Sequence, residues 1–114
     1  MEKSKVQFYI SQLILAIEYL HSLDIIYRDL KPGNTMVDET VNLSFFAKGF
    51  LIHLLNNQKG YLRLVDMGTA KFMNENRTKI VRTYTVIGTP HFMAPEIVSG
   101  KGYGKPVDLW AIGI

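Results

Sequence analysis

From Tyr27 to Asn34 the chain reads Tyr-Arg-Asp-Leu-Lys-Pro-Gly-Asn, and further on it reads Asp66-Met67-Gly68. Asp29 can accept or orient the proton of a hydroxyl. Lys31, two residues on, can set a cation beside a transferred anionic group. Asn34 offers a neutral oxygen and Asp66 a charged one, the hard donors that a magnesium ion takes. A base, a cation and two hard oxygens in this order suit transfer of a phosphoryl group from a nucleotide to a hydroxyl. That reaction asks for alignment and charge neutralisation, with little covalent participation by protein. A lone Asp-x-Lys is most often a surface ion pair; the whole string is far rarer.

The flanking segments are the ones that must position these groups. Val6, Tyr9, Ile10, Leu13, Ile17 and Leu20 recur at steps of three and four, which predicts an amphipathic helix over residues 4–22. Ser4 is its expected N-cap, and His21 falls near the C-terminal end, where a cation suits the helix dipole. Ile25 and Ile26 lead into the polar loop, which Pro32 and Gly33 keep from becoming helical. Thr35–Val37 and Tyr61–Val65 read as two short strands. Residues 74–92 read as a long surface loop. Pro95–Val98 opens a short helix, and Val107–Gly113 begins another after a glycine-rich turn from Gly100 to Gly104. Trp110 is expected in the core.

Composition narrows the field without naming a function. The 114 residues suit one small domain, and a hydrophobic fraction of 47% argues against disorder. The net charge of +3 is small and scattered, so neither nucleic acid nor membrane is an expected partner. The longest apolar stretch, Phe50–Leu55, is far shorter than the roughly 20 residues that span a bilayer. There is no cysteine, hence no disulfide or thiolate metal site, and a cytoplasmic location is the expectation. His21, His53 and His91 are too scattered to suggest a zinc site. Oligomeric state is not legible.

At this point a resemblance carries further. Tyr27–Asn34 resembles the catalytic loop of eukaryotic protein kinases, and Asp66-Met67-Gly68 their magnesium-binding triplet. Met93-Ala94-Pro95-Glu96 is similar to the motif that closes the activation segment, and Asp108–Gly113 to the buried helix that follows. Lys31 and Gly88-Thr89-Pro90 resemble the serine/threonine type. Tyr27 in place of the usual histidine, with Arg82–Thr85, resembles the cyclic-nucleotide-dependent, AGC-like branch. The resemblance implies an α+β, mainly helical fold: part of the large C-terminal lobe, with a short β-hairpin, over residues 1–114. It implies ATP and Mg2+ as cofactors and a protein serine or threonine as substrate.

Residue by residue, it implies that Asp29 and Lys31 are catalytic and that Asn34 and Asp66 hold metal. It makes Thr85 the candidate activation-loop phosphosite, with Arg28 and Lys71 as cations able to pair with a phosphate of about −1.5 to −2 charges. Thr89 would bridge Asp29 and Lys31 and seat the substrate hydroxyl. Asp108 would be buried, accepting backbone hydrogen bonds from the catalytic loop, and Glu96 would pair with an arginine outside these residues.

The chain also departs from the family. Gly33 replaces a glutamate that points away from the metal, and Met67 replaces a phenylalanine, a change apolar packing should survive. Where the family joins its two strands by a tight turn, this chain carries the apolar segment Val41–Gln58. It reads either as an intron retained and translated in frame, since valine codons begin with GT and a glutamine codon can end in AG, or as a true insertion. No G-x-G-x-x-G occurs in the 114 residues. A serine/threonine kinase fragment, inactive by itself for want of the nucleotide-binding lobe, is therefore expected. The alternatives are a truncated kinase acting as a non-catalytic binding module, and a gene fragment without function.

Overall fold

A computed structural model describes residues 2–38, 60–73 and 82–114; Val41–Gln58 lies outside them. Helix α1 spans Lys3–Ser22. It starts earlier than the sequence suggests, and Ser4 is not its cap. Glu2 holds the extended N-cap position, and its carbonyl takes the first bonds, from the Lys5 and Val6 amides at 3.0 and 3.2 Å. Ser4 therefore sits inside the first turn, exposed. Ile17 and Leu20 are buried as the periodicity requires, whereas Val6 is exposed because the first turn runs past the core. Fully burying an aliphatic side chain such as Ile17 stabilises by about 1.5–3 kcal/mol.

Strand β1, Ile25–Ile26, follows at once and pairs antiparallel with β4, Lys71–Phe72. Successive residues of a strand face opposite ways, and these two isoleucines use that alternation to separate two apolar clusters. Ile25 packs on Ile17, Leu20, Tyr27 and Leu30, with Leu13, Leu64, Ala111 and Ile112. Ile26 lies with Met73, Ala94, Ile97, Tyr103 and Val107. This second sheet is too short to have been read from sequence.

The other sheet is the expected hairpin. β2, Thr35–Asp38, pairs antiparallel with β3, Tyr61–Leu64, from Thr35↔Leu64 to Asp38↔Tyr61. Its register is tied to α1 by a buried side chain: Gln12 accepts from the Leu62 amide at 2.8 Å and donates to the Gly60 carbonyl at 3.4 Å. A buried amide with both ends bonded is a fixed point.

Two further helices complete the described residues, α2 over Pro95–Val98 and α3 over Pro106–Gly113. Both carry proline in the first turn, where its missing N–H costs nothing. Helical spacing turns Val107, Asp108, Ala111 and Ile112 of α3 inward. Trp110, expected in the core, falls on the opposite face and is 46% exposed. Met67 is likewise exposed, so the packing expected of it is not made. The expected surface loop is also less free than its composition suggests over its described part: Thr83 is buried, and Pro90–Phe92 form a 3-10 turn. Among the described residues no helix is long and apolar enough to cross a membrane.

Candidate functional site

The loop from Tyr27 to Asn34 leaves β1 directly and is held from beneath. Tyr27 is fully buried, and its hydroxyl donates to the Val65 carbonyl. Burial, aided by the negative charges of Asp29, Asp66 and Asp108, pushes the Tyr27 phenol up to about 12, so it remains a neutral donor. Asp108, 1% exposed on α3, accepts from the Tyr27 and Arg28 amides at 2.9 Å each. A third bond, 2.8 Å long, joins its Oδ2 to Nε2 of His21. These bonds satisfy the buried carboxylate and hold Arg28 at a φ of +71°, the left-handed region that side chains disfavour. Asp108 is thus buried beneath this loop and takes two of its amides. His21 was missed as part of the site, because nothing in its sequence position points to α3.

The far side of the loop is stitched to residues 65–69. The Val65 amide donates to the Asn34 carbonyl at 3.0 Å, Arg28 Nε to the Thr69 carbonyl at 2.6 Å, and the Thr69 hydroxyl to the Tyr27 carbonyl at 3.1 Å. Asp66 therefore follows a residue anchored to both Tyr27 and Asn34. It is exposed at φ +61°, with Oδ1 taking the Gly68 amide at 3.1 Å. Strain of this kind in a non-glycine residue is typical of functional positions.

Above this frame four side chains converge. Asp29 Oδ1 accepts from the Thr89 hydroxyl at 2.7 Å, and that hydroxyl accepts in turn from Lys31 Nζ at 2.7 Å. Lys31 Nζ also lies 3.3 Å from Asp29 Oδ2. Asn34 Nδ2 donates to both the carbonyl and Oδ2 of Asp29, at 2.9 Å each. Desolvation by burial works against ionising Asp29. The bonds from Thr89, Lys31 and Asn34, with the charge on Lys31, outweigh it and hold the carboxyl below its usual range. Asp29 is an ionised acceptor, aimed by its neighbours.

Gly88 brings Thr89 to this place. Its φ is +118°, and a Cβ there would lie 2.6 Å from the Arg28 carbonyl oxygen, so only glycine lets the two loops touch.

The donor set fits a magnesium ion in kind. Among the described residues, Asn34 gives its amino group to Asp29 and Asp66 uses Oδ1 for the Gly68 amide, and these bonds leave the Asn34 amide oxygen and Asp66 Oδ2 unused. Among the described residues no cluster of three or more histidine, cysteine, aspartate or glutamate side chains could hold a metal.

The remaining candidates lie on the second side of β1. Thr85 is exposed. Lys71 Nζ donates to the Thr83 hydroxyl at 3.0 Å rather than to Thr85. Among the described residues, Arg28 approaches the Thr85 segment through Tyr103: its Nη1 is 3.4 Å from the Tyr103 hydroxyl, which donates to the Thr85 carbonyl at 2.5 Å. Glu96 is half-buried in the first turn of α2, and among the described residues no cation pairs with it.

All 114 residues match the family model described as protein kinase domain. The whole chain is 43% identical to a cGMP-dependent protein kinase of Plasmodium berghei and 41% identical to one of Toxoplasma gondii, covering 10% and 9% of those proteins. Over 97% of its length it is 38% identical to a cAMP-dependent protein kinase catalytic subunit of Dictyostelium discoideum, of which it covers 13%. The chain thus spans about a tenth of the length of these three relatives.

Proposed function

The chain belongs to the protein kinase family, and from that premise we propose that it is the part of a serine/threonine kinase's large lobe that aligns the substrate hydroxyl. The parent reaction is transfer of the ATP γ-phosphoryl group to a protein serine or threonine. The observation that carries this reading is the closed set of bonds around Asp29, made by Thr89, Lys31 and Asn34. Asp29, kept ionised, accepts the hydrogen of the incoming hydroxyl and aims its oxygen. Lys31 holds positive charge beside the place where the phosphoryl group passes, and Thr89 fixes the distance between the two. Magnesium, when bound, would be held by Asn34 and Asp66 and would neutralise phosphate charge. Thr85 is the phosphosite of this reading, and Arg28 and Lys71 its cations. Glu96 and Asp108 are structural. A cytoplasmic location and a protein partner belong to the same proposal, with Val41–Gln58 as an insertion into an otherwise ordinary hairpin.

The 114 residues contain no glycine-rich phosphate loop, so this polypeptide by itself should transfer no phosphate to a basic peptide above an Asp29→Ala control. The decisive experiment puts these residues, with and without 41–58, in place of the matching stretch of the P. berghei kinase and measures peptide phosphorylation. Transfer that drops about 10²–10⁴-fold on Asp29→Ala, the span typical of a positioned proton acceptor, supports the proposal. A folded chimera that binds ATP yet shows no Asp29-dependent transfer refutes it.

A further inference from the structure

We propose that the Tyr103 hydroxyl is a positioning group that clamps the Thr85 segment onto Arg28, holding the loop that bears the candidate phosphosite against the Asp29 loop before any phosphate is added. The consequence for regulation rests on the kinase reading; the clamp itself does not.

Ring packing, a backbone bridge and hydroxyl bonds meet at this residue and support one another. The Tyr103 ring is anchored among Ile26, Met73, Ala94, Ile97 and Val107 and is 3% exposed. Its backbone forms a closed antiparallel bridge with Thr83, the Thr83 amide donating to the Tyr103 carbonyl at 3.0 Å and the Tyr103 amide to the Thr83 carbonyl at 2.9 Å. Its hydroxyl, which can both donate and accept, donates to the Thr85 carbonyl at 2.5 Å and takes the weaker 3.4 Å approach of Arg28 Nη1. One residue therefore grips the segment at two places, Thr83 through its backbone and Thr85 through its hydroxyl, while its ring is packed in the core.

The other end of the link is equally fixed. Arg28 is pinned through its amide by Asp108 and through Nε by the Thr69 carbonyl. Its guanidinium has further N–H groups, and its Nη1 lies 3.4 Å from the hydroxyl that holds the Thr85 carbonyl. Among the described residues, Arg28 Nε donates to the Thr69 carbonyl and Lys71 Nζ to the Thr83 hydroxyl, and Tyr103 joins Thr85 to Arg28. With the backbone of Thr85 already localised, a phosphate there meets Arg28 without first ordering the chain, and that ordering entropy is what a free loop would lose.

Tyr103→Phe tests this directly, since it keeps the ring in the core and deletes only the hydroxyl. The Thr83 and Tyr103 amides, each bonded across the bridge, report the clamp by hydrogen exchange in the ¹⁵N-labelled 114-residue chain. The Tyr27 and Arg28 amides, held by Asp108, report the rest of the fold. Loss of one buried hydrogen bond should speed exchange at residues 83 and 103 about five- to tenfold, leave residues 27 and 28 unchanged and shift the Arg28 Nε–H resonance. Equal rates at 83 and 103 in both proteins overturn the proposal. So does an acceleration shared equally by 27 and 28, which marks general loosening rather than a clamp. Should the phenylalanine variant not fold, the native chain carries the test. Its Tyr103 hydroxyl proton is expected in slow exchange, with a cross-peak to Thr85, and a hydroxyl exchanging as fast as that of exposed Tyr84 overturns the proposal. None of these readouts needs phosphoryl transfer, so their failure leaves Asp29-dependent catalysis standing.

Discussion

Replacing Asp108 by alanine isolates the contribution of α3 to the Asp29 loop. The carboxylate takes three bonds, from the Tyr27 and Arg28 amides and the His21 ring, at 2.9, 2.9 and 2.8 Å, at a site almost wholly removed from water. A hydrogen bond to a charged group contributes about 1.5 kcal/mol at the low end of its range, so the three together amount to about 4.5 kcal/mol. Releasing Arg28 from its left-handed conformation returns about 1 kcal/mol. The net expectation is a loss of about 3–4 kcal/mol, read as the shift in urea midpoint at constant slope. His21→Ala removes one bond of the three and should lose about 1–1.5 kcal/mol. Made together with Asp108→Ala, it should add almost nothing, because the pair shares one interaction. Amide exchange at Tyr27 and Arg28 should accelerate first and most. An Asp108→Ala protein within about 1 kcal/mol of the parent, or strict additivity of the two changes, would refute the reasoning.

Other outcomes follow from the same geometry. The Asp29 carboxyl, followed by ¹³C NMR, should titrate below its ordinary 3.8, and Thr89→Val should bring it back toward that value. Because its folded-state value is depressed, Asp29 stabilises the fold fully above the unfolded value, and this is lost as pH falls below 3.8 and through the folded value; a Thr89→Val protein with unchanged titration sinks the assignment. Gly88→Ala should lose about 2–3 kcal/mol in denaturant midpoint, since its Cβ meets the Arg28 carbonyl at 2.6 Å in a backbone region only glycine favours; a loss under about 0.5 kcal/mol contradicts that contact. Excising Val41–Gln58 shortens the link between β2 and β3 from about 22 residues to four and should stabilise the hairpin by about 1.5 kcal/mol through loop closure. The hairpin register should survive, since Gln12 holds Gly60 and Leu62; changed cross-strand contacts at Leu62 and Leu64 would show otherwise. If the segment is a retained intron, mature transcripts should mostly lack its codons.

The grouping of the candidate site was legible in the sequence because it depends on residue types in short order. Asp29, Lys31 and Asn34 lie within six residues of one another, so any compact turn brings them together, and the 3-10 turn at Pro32–Asn34 does so. The hairpin strands and α1 were legible for a related reason: periods of two and of 3.6 are written locally. Even so, α1 begins at a backbone cap that offers no side-chain signal, which is why Ser4 misled.

What residue types and local spacing could not contain was a further set of partners reached across long stretches of chain. His21 meets Asp108 over 87 residues, Tyr103 meets Arg28 over 75, and Gln12 reaches β3 over about 50. The Ile25–Ile26 pair shows the same boundary in two residues. Its alternation is local, but only β4 and the two apolar clusters make it a divider. Residue chemistry and short-range spacing determined what this chain could do. Tertiary packing decided which hydrogen bonds hold those groups in place, because a buried donor finds its acceptor by proximity in space, whatever its position along the chain.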